Sequence, residues 1–379
     1  MDQFKEIRPY HDSEIRAVLD SLVDNQEFIS SIASFYYPRL TRLMPGLISK
    51  LASRRIKKQL EDVHSVKTMQ DVIAQYLDKI ILDTTSGLSH SGMENLSHDK
   101  SYLFISNHRD IVMDPAFVNY VLYHGDFETL QIAIGDNLLK KPFVSDLMRL
   151  NKSFIVRRSL KGRELLKALG LLSSYIHYCI ASKENVWIAQ REGRAKNGID
   201  KTDSALLKML ARGRRDLPLG ESLSNLHIVP VAISYEYDAC DVLKAQELYQ
   251  LEQTGEFKKS EHADMDSIVT GMMGFKGHVH IAFGKELEID SDDPDQIASQ
   301  IDRQILDNYR LQDSNYLAYE ELNKLQTQSK EISDRIEMQE LSKSARAEFS
   351  RRFEQVDPQL RLLYLSMYAN PVISRYKVS

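Results

Sequence analysis

Hydrophobic residues recur with helical spacing along the first 95 residues of the chain. Two groups show this spacing: Ile15, Val18, Leu19, Leu22 and Val23, and then Met69, Val72, Ile73 and Tyr76. Apolar positions three and four residues apart lie on one face of a helix. Because no stretch here alternates as a half-buried strand does, we predict a small helical domain over residues 1–95.

Between about residues 100 and 290, short apolar runs alternate with helix-like stretches. The predicted strands are 102–105, 130–134, 153–156, 186–189, 228–233 and 279–283. The predicted helices between them include 138–149, 160–181 and 203–211. This alternation is typical of an α/β fold with a mainly parallel sheet flanked by helices. We therefore predict an α/β domain over residues 96–290.

The remaining residues, 291–379, have a helical and highly charged pattern. Lys, Glu, Arg and Gln dominate residues 319–356, which is typical of solvated amphipathic helices. We predict a helical C-terminal extension to the α/β domain.

Charge and cysteine content narrow the class of protein. The chain of 379 residues has a net charge of −5, which argues against a general nucleic-acid binder with its basic footprint. Two cysteines, Cys179 and Cys240, are too few for a disulfide scaffold and suit a reducing compartment. The first residues lack the basic start and apolar run of a signal peptide, and no apolar run reaches the roughly 20 residues that span a bilayer. We expect a cytoplasmic protein, peripheral on the inner surface of the membrane.

Residues 35–58 carry seven basic side chains, no acidic one and many apolar ones. Such a segment can lie in a membrane interface, with its apolar side chains among the acyl chains and its cations near anionic headgroups. The alternative is a helix packed on the core with a basic outer face. On the first interpretation a membrane surface is one of the partners of this protein.

Candidate chemistry begins directly after the apolar run 102–105, where His108 is followed by Asp110 and Asp114. An imidazole can take a proton from a hydroxyl at neutral pH. A carboxylate on its other nitrogen fixes the tautomer and stabilises the imidazolium that forms. The pattern indicates a catalytic base with an orienting carboxylate; an aspartate that caps the following helix would give the same pattern.

Basic loops follow two other predicted strands. Their basic residues are Arg157, Arg158 and Lys161 after the run 153–156, and Arg194 and Lys196 after the run 186–189. Guanidinium groups bind phosphate oxygens in bidentate fashion, and glycines let the backbone approach an anion closely. Because α/β sheets bind ligands at strand ends, the loops together with His108 indicate a phosphorylated alcohol as substrate.

Four blocks of the sequence, taken in order, resemble the glycerolipid acyltransferases, which acylate glycerol-3-phosphate or lysophosphatidate from an acyl thioester. The blocks are Asn107-His108 to Asp114, Phe154 to Gly162, Glu192-Gly193-Arg194, and Val229 to Glu236. The resemblance covers roughly residues 100–250. Its second and fourth blocks are closer to the glycerol-3-phosphate branch than to the lysophosphatidate branch.

The sequence departs from the family pattern in two places. The pattern sets four residues between His and Asp, whereas here the aspartates stand at 110 and 114. Either a one-residue bulge restores Asp114 as the partner of His108 or Asp110 takes that place, and we favour Asp114. In the third block Glu192 precedes Arg194 by two residues and not three, which leaves the role of Glu192 open.

The resemblance implies a direct acyl transfer with no cofactor and no metal. His108, oriented by Asp114 or Asp110, would remove a proton from a glycerol hydroxyl, whose oxygen attacks the thioester carbonyl of acyl-CoA or acyl-carrier protein. The resemblance implies that the following residues bind the phosphate of the acceptor: Arg157, Arg158, Arg194, Lys161 and Lys196. The other motif residues are Asn107, Glu192, Gly193 and Pro230. Pro230 to Tyr235 would shape the wall of the acyl site.

Other functions fit the same residues less well. A kinase catalytic loop needs an Asn where Pro115 stands, and neither a P-loop nor a Gly-x-Ser-x-Gly motif occurs. His278 and His280 alternate on a predicted strand without a third ligand at metal-site spacing, so we interpret them as strand residues. The remaining alternative is a lipid- or acyl-carrier-binding homologue that has lost activity.

Overall fold

The computed structural model describes residues 2–260, 263–325, 335, 336 and 341–378, with the side chains of residues 35, 36, 38 and 378 excepted. Contacts divide the described chain into two compact units. The first unit comprises the residues up to Tyr76 together with Gln131–Tyr175, and the second comprises Leu77–Leu130 and the residues from Ile176 onward. The three domains predicted from the sequence, with boundaries near residues 95 and 290, stay a prediction.

The first unit begins with four helices, as the spacing of its apolar residues predicts. They are α1 (Asp12–Asp24), α2 (Gln26–Tyr36), α3 (Pro38–Leu43) and α4 (Pro45–Gln59). A proline at the first turn of α3 and of α4 starts each helix without the loss of a hydrogen bond. The apolar faces meet in a core that includes Ile15, Leu19, Leu22, Phe28, Ile29, Phe143 and Leu150.

The same unit contains a parallel pair of strands, β3 (Gln131–Gly135) and β4 (Ser153–Val156), joined through helix α7 (Pro142–Leu150). Two longer helices, α5 (Val66–Thr84) and α8 (Gly162–Ala181), begin in the first unit and end in the second.

The second unit holds five strands in the order β1 (Gly87–Ser91), β7 (His278–Phe283), β6 (Ile228–Tyr235), β2 (Leu103–Ser106) and β5 (Val186–Ala189). All pairings are parallel except that of β6 with β7. Every residue of β2 and β6 is buried, as expected for strands covered on both faces. The structure thus confirms the predicted α/β class with a mainly parallel sheet, and the predicted strands begin and end within two residues of the observed ones.

Helices surround these strands. They are α6 (Met113–His124), α9 (Ser204–Leu210), α10 (Leu219–Ser224), α11 (Asp241–Thr254), α12 (Ala263–Met273), α13 (Pro294–Asn308), α14 (Asp313–Leu325), α15 (Lys343–Glu354) and α16 (Arg361–Val378). Short 3-10 helices cover Met93–Asn95, Asp136–Leu138, Ala211–Arg214 and Pro358–Leu360. Among the described residues, no helix is long and apolar enough to cross a membrane.

One strand was not predicted. β1 lies inside the segment 1–95, for which the sequence predicts helices only. Its sequence, Gly-Leu-Ser-His-Ser, contains a single apolar residue, so it shows no alternation of apolar and polar positions. Parallel pairing with β7 and hydrogen bonds from its serines to His278 and His280 hold it in place.

The helical C-terminal extension is part of the second unit. Its core includes Tyr316, Leu317, Phe349, Leu360, Tyr364, Leu365 and Tyr368. The predicted charged stretch 319–356 is helical in α14 and α15, and most of the residues between these helices lie outside the described ones. Helix α16 also touches the loop after β5: Asn370 donates a hydrogen bond to the Asn197 carbonyl at 2.7 Å. At Gly198, with φ of +76°, a side chain would overlap the carbonyl of Met367.

Candidate active site

The candidate site is built on the loop between β2 and α6. Strand β2 is fully buried and ends at Ser106, so the residues that follow it leave the sheet at its carboxyl edge. The loop carries His108, and α6 begins at Met113, which places Asp114 in its first turn. Both ends of the loop are therefore fixed by regular structure.

His108 and Asp114 are in direct contact. The His108 Nδ1 lies 2.8 Å from the Asp114 Oδ2, and the Asp114 side chain is fully buried while His108 is 14% exposed. An ionised carboxylate only accepts hydrogen bonds, so Nδ1 carries the proton and Nε2 is left as the acceptor. This arrangement is the one that a general base requires.

Asp114 is held by four donors. Besides His108, the backbone N–H groups of Arg109 and Asp110 donate to Oδ2 at 2.6 and 2.9 Å, and the Tyr235 hydroxyl donates to Oδ1 at 2.6 Å. Burial alone would raise the pKa of Asp114, but the hydrogen bonds and the charge of His108 lower it overall. Asp114 is therefore kept ionised beside the imidazole.

Asp110, the alternative partner of His108, has a different role. Its Oδ1 accepts hydrogen bonds from the N–H groups of Val112 at 3.0 Å and Met113 at 2.8 Å, which closes the turn into α6. Burial, together with the negative charge of Asp114, raises the pKa of Asp110. Of the two predicted alternatives, Asp114 is the one in contact with His108: five residues separate the two, and the start of α6 still brings Asp114 to the imidazole.

The residues on either side of His108 anchor the loop. The Asn107 amide pairs with β6, donating to the Ile233 carbonyl at 3.0 Å and accepting from its N–H at 2.8 Å. The buried Arg109 side chain donates to the Asp200 carboxylate at 2.6 Å. The buried Lys244 of α11 donates to the Arg109 carbonyl at 2.6 Å and pairs with Asp238.

The third block lies against the same loop. The backbone N–H of Ala195 donates to the backbone carbonyl of His108 at 2.8 Å. Arg194 directly precedes Ala195, so this hydrogen bond ties the loop of Arg194 to the candidate base. Arg194 Nη2 donates to the Ser267 hydroxyl at 3.3 Å. Its Nη1 is buried and has no hydrogen-bond partner among the described residues. A buried donor without a partner is costly in a protein interior and is suited to receive an anion.

The other residues of the third block differ from Arg194. Gly193 adopts φ of +74°, a conformation that favours glycine, and Glu192 beside it is exposed. Lys196 forms an ion pair with Glu247 of α11. The ammonium group that the sequence predicts for phosphate binding is therefore already paired with a carboxylate.

The second block belongs to the first unit. Arg157 Nη2 donates to Glu6 at 2.7 Å, the backbone N–H of Arg158 donates to Asp136 at 3.1 Å, and Lys161 is exposed. The structure therefore brings the first, third and fourth blocks together in the second unit, and it places the second block at the end of β4 as predicted.

The fourth block is strand β6. Pro230 is opposite Ile105 of β2, and its carbonyl accepts a hydrogen bond from the Gly284 N–H at 2.8 Å. Five residues further, Tyr235 reaches Asp114. Pro230 thus lies in the buried centre of the strand, and the end of the same strand contacts the candidate site.

Sequence reasoning missed several residues that surround His108. Trp187 lies edge-on to the His108 ring with 5.7 Å between ring centroids, and its Nε1 donates to the Ser106 hydroxyl at 3.0 Å. Asp200, Lys244 and the hydroxyl of Tyr235 also support the loop. The polar character of Asp200 and Lys244 gives no sign in the sequence that both are buried, and their contacts with Arg109 join positions 91 and 135 residues apart.

The two strand histidines are hydrogen-bonded. His280 Nδ1 and Nε2 lie 2.7 and 3.1 Å from the hydroxyls of Ser89 and Ser91, and Ser89 also lies 3.1 Å from His278 Nε2. Burial, with the charge of Arg310, lowers the pKa of His280 to about 4. In the part of the chain that the structure describes, no three His, Cys, Asp or Glu side chains cluster as a metal site.

Several known proteins are similar to this chain. Residues 87–234 match the model of the acyltransferase family. The glycerol-3-phosphate acyltransferase of Pseudomonas syringae pv. syringae is 26% identical over 246 residues, which cover 64% of this chain and 28% of that protein. The enzyme of the same name from Pseudomonas aeruginosa PAO1 is 26% identical over 52% of this chain and 22% of its own length. The crystal structure of 1-acyl-sn-glycerophosphate acyltransferase from Thermotoga maritima aligns over 77% of this chain and 94% of its own, with a TM-score of 0.36 and 13% identity.

The range that matches the acyltransferase model contains strand β2, the His108–Asp114 pair and the Arg194 loop, and it ends one residue before the end of β6. Over these residues the chain is similar to the acyltransferase family, and the curated relatives that it matches are named glycerol-3-phosphate acyltransferases. Its matched region spans 28% of the length of the Pseudomonas syringae relative.

Proposed function

We propose that this protein transfers a fatty acyl group from an acyl thioester, acyl-CoA or acyl-carrier protein, to a hydroxyl of glycerol-3-phosphate or 1-acylglycerol-3-phosphate. The observation that carries the proposal is the buried His108–Asp114 pair, with Nδ1 and Oδ2 2.8 Å apart, bonded through the His108 carbonyl to the loop of Arg194. The names of the Pseudomonas relatives favour glycerol-3-phosphate as the acceptor. Phospholipid biosynthesis is then the process that the product serves.

The reaction needs a base and no covalent enzyme intermediate. His108 Nε2 takes the proton of the acceptor hydroxyl while the hydroxyl oxygen bonds to the thioester carbonyl carbon. The C–S bond then breaks, and the imidazolium returns the proton to the leaving thiolate. Asp114 stabilises the imidazolium between these steps. General-base assistance of this kind contributes roughly 10²–10⁴-fold to the rate.

Arg194 is the strongest candidate for the phosphate of the acceptor. Its Nη1 is buried without a partner among the described residues, and a guanidinium fork matches a phosphate. Arg157, Arg158 and Lys161 of the second block stay candidates for phosphate binding on the sequence resemblance alone. Lys196 is the weakest of the set because Glu247 already neutralises it.

The direct test is an acyl-transfer assay with the purified protein and a matrix of substrates. Glycerol-3-phosphate and 1-acylglycerol-3-phosphate are each offered with acyl-CoA and with acyl-carrier protein, and glycerol without phosphate serves as the control acceptor. We expect transfer to a phosphorylated acceptor and about a tenth to a hundredth of that rate to glycerol, since a charge-assisted contact adds about 1.5–3 kcal/mol. Binding of acyl-carrier protein without transfer to any acceptor would instead support the inactive homologue.

The outer face of helices α3 and α4 has the chemistry that binds a membrane surface. Their outward side chains are apolar and exposed, and Leu43 is 77% exposed; the others are Leu40, Met44, Leu47 and Leu51. Exposed cations flank this stripe at Lys50, Arg54 and Lys58, one helical turn apart. On the opposite side of α4, Ile48, Ala52 and Ile56 pack on the core. The helix thus has a packed inner face and an apolar, basic outer face, as membrane-interface helices do.

A further inference from the structure

We infer that Tyr235 is a positioning residue for the proposed base: its hydroxyl holds one oxygen of Asp114 so that the other oxygen stays aligned on His108. The inference rests on the proposed function and names a further residue on which that function depends. Tyr235 lies at the end of β6, 121 residues from Asp114 in the chain.

The two oxygens of Asp114 have separate partners. Oδ2 accepts hydrogen bonds from His108 Nδ1 and from two backbone N–H groups. Oδ1 accepts a hydrogen bond from the Tyr235 hydroxyl at 2.6 Å. Asp114 is fully buried, so water does not replace a lost donor without a rearrangement. Without the hydroxyl, Oδ1 would have to turn toward another donor, and this rotation would move Oδ2 away from the imidazole.

The position of Tyr235 is itself well determined. Its backbone pairs with Val279 in the antiparallel ladder of β6 and β7, and its ring lies against Phe117 with 6.0 Å between centroids. Burial and the charge of Asp114 raise the pKa of Tyr235 well above its ordinary value of 10.0, so the hydroxyl keeps its proton and remains a donor throughout the range in which an acyltransferase is assayed.

Several charged groups surround this contact. Besides His108 they are Arg109, Asp110, Asp200, Asp238, Lys244 and Lys276. Because Tyr235→Phe changes none of these charges, the substitution removes one hydrogen bond only. Once the carboxylate has turned, it is less well aligned on His108 and stabilises the imidazolium less.

The first experiment compares Tyr235→Phe with Tyr237→Phe, which removes a hydroxyl from a buried tyrosine two residues further that packs on Arg352 instead. We expect Tyr235→Phe to lower kcat by about tenfold or more, since hydrogen bonds to charged groups are of that strength, and to leave both KM values within about twofold. The acid limb of kcat against pH should move to lower pH, because the imidazolium has lost part of its stabilisation. Tyr237→Phe should change neither quantity.

The second readout does not depend on turnover. Trp187 is the single tryptophan of the chain and lies 5.7 Å from the His108 ring, so its fluorescence senses the protonation of the imidazole. A pH titration of the fluorescence should show a transition that His108→Ala abolishes and that Tyr235→Phe moves to lower pH. This readout holds even if no acyl transfer is found, so it separates a failure of this inference from a failure of the proposed function.

A double-mutant cycle completes the test. In the Asp114→Asn background, Tyr235→Phe should lower kcat by less than about twofold, because the Tyr235 hydroxyl acts on the carboxylate that this background lacks. The inference is overturned if Tyr235→Phe keeps kcat and both pH transitions of the wild type. It is also overturned if the loss is the same in the Asp114→Asn background, or if KM rises for both substrates along with a lower melting temperature.

Discussion

At the scale of single residues, two aspartates four positions apart have opposite properties because their surroundings differ. Asp114 accepts four hydrogen bonds and is held ionised, whereas burial raises the pKa of Asp110. Pairs of acids whose pKa values are driven apart are typical of sites with divided roles. The environment of each carboxyl, and not its distance along the chain, decides which one serves His108.

This division predicts different consequences for the two amide variants. Asp114→Asn should lower kcat by about 10²-fold or more, since the imidazolium loses its counter-charge and the tautomer is no longer fixed. Asp110→Asn retains an oxygen that can accept from the Val112 and Met113 N–H groups, so we expect a loss of kcat under about tenfold. Steady-state kinetics of both variants, with circular dichroism as the control for folding, measure the difference. Equal losses would mean that Asp110 shares the role of orienting His108.

The anion site gives a second prediction at this scale. Arg194→Ala should raise the KM of the phosphorylated acceptor by about tenfold to a hundredfold and leave the KM of the thioester unchanged. Arg194→Lys should recover part of the loss because charge remains without the fork. Arg351→Ala, an exposed arginine of α15 paired with Glu348, is the matched control. If both substrates lose affinity equally, Arg194 supports the loop and does not bind phosphate.

The sequence predicts some of these residues and not others for physical reasons. His108 and Arg194 stand directly after apolar runs, and a strand end is where α/β folds expose side chains. Spacing alone left Asp110 and Asp114 as alternatives, because the answer depends on where α6 begins. The contact of Tyr235 with Asp114 joins positions 121 residues apart and depends on the register of β6, which a single sequence does not reveal.

At the scale of elements, the contact between α11 and α16 contains a buried acid with a measurable effect on stability. Tyr368 of α16 donates to Asp241 at the start of α11 at 2.8 Å. Burial, with the charge of Asp238, raises the pKa of Asp241 from its ordinary value of 3.8 to about 6. The folded protein therefore binds this proton more tightly than the unfolded chain does.

Stability should consequently fall as pH rises between about 4 and 6, because over this range the folded state must release a proton that the unfolded chain has already lost. We expect Asp241 to contribute a loss of roughly 2 kcal/mol in the free energy of unfolding over this range. Urea unfolding of the wild type and of Asp241→Asn at several pH values measures it. The contribution should be absent in the variant; an identical pH dependence of the two proteins would contradict the assignment.

Helices α3 and α4 carry the prediction about membranes. Replacing Lys50, Arg54 and Lys58 by glutamine should weaken binding to anionic vesicles by roughly a hundredfold, since each surface cation adds about 1 kcal/mol. Binding of the wild type should weaken as salt rises. The matched control replaces three exposed lysines of the second unit, Lys201, Lys208 and Lys285, by glutamine. Flotation of the first variant at the level of the wild type would indicate that this face does not meet the membrane.

The elements also show where sequence patterns fail. The buried strands β2, β5 and β6 are recognisable because each is a continuous apolar run. Strand β1 is polar and is held by pairing with β7 and by its serines, so no periodic pattern marks it. Tertiary contacts decide the structure of such a segment, and local sequence does not.

At the scale of the whole molecule, the family blocks divide between the two compact units. The second unit holds the candidate base, Asp114, the Arg194 loop and β6, and the first unit holds the second block and the helices α3 and α4. The C-terminal extension, which lies beyond the matched range 87–234, supports the Arg194 loop through Asn370 and Met367. Residues outside the matched range thus contact the loop that carries Arg194.

The most direct test of the account is the kcat of His108→Ala for acyl transfer to a phosphorylated glycerol acceptor. The His108 side chain contacts Asp114 and the edge of Trp187, and the hydrophobic core does not depend on its packing. The variant should therefore fold with a melting temperature close to that of the wild type. We predict that kcat falls at least about a hundredfold, in line with the loss of a general base. A folded variant that retains more than about a tenth of the wild-type kcat would contradict the central claim that His108 is the base.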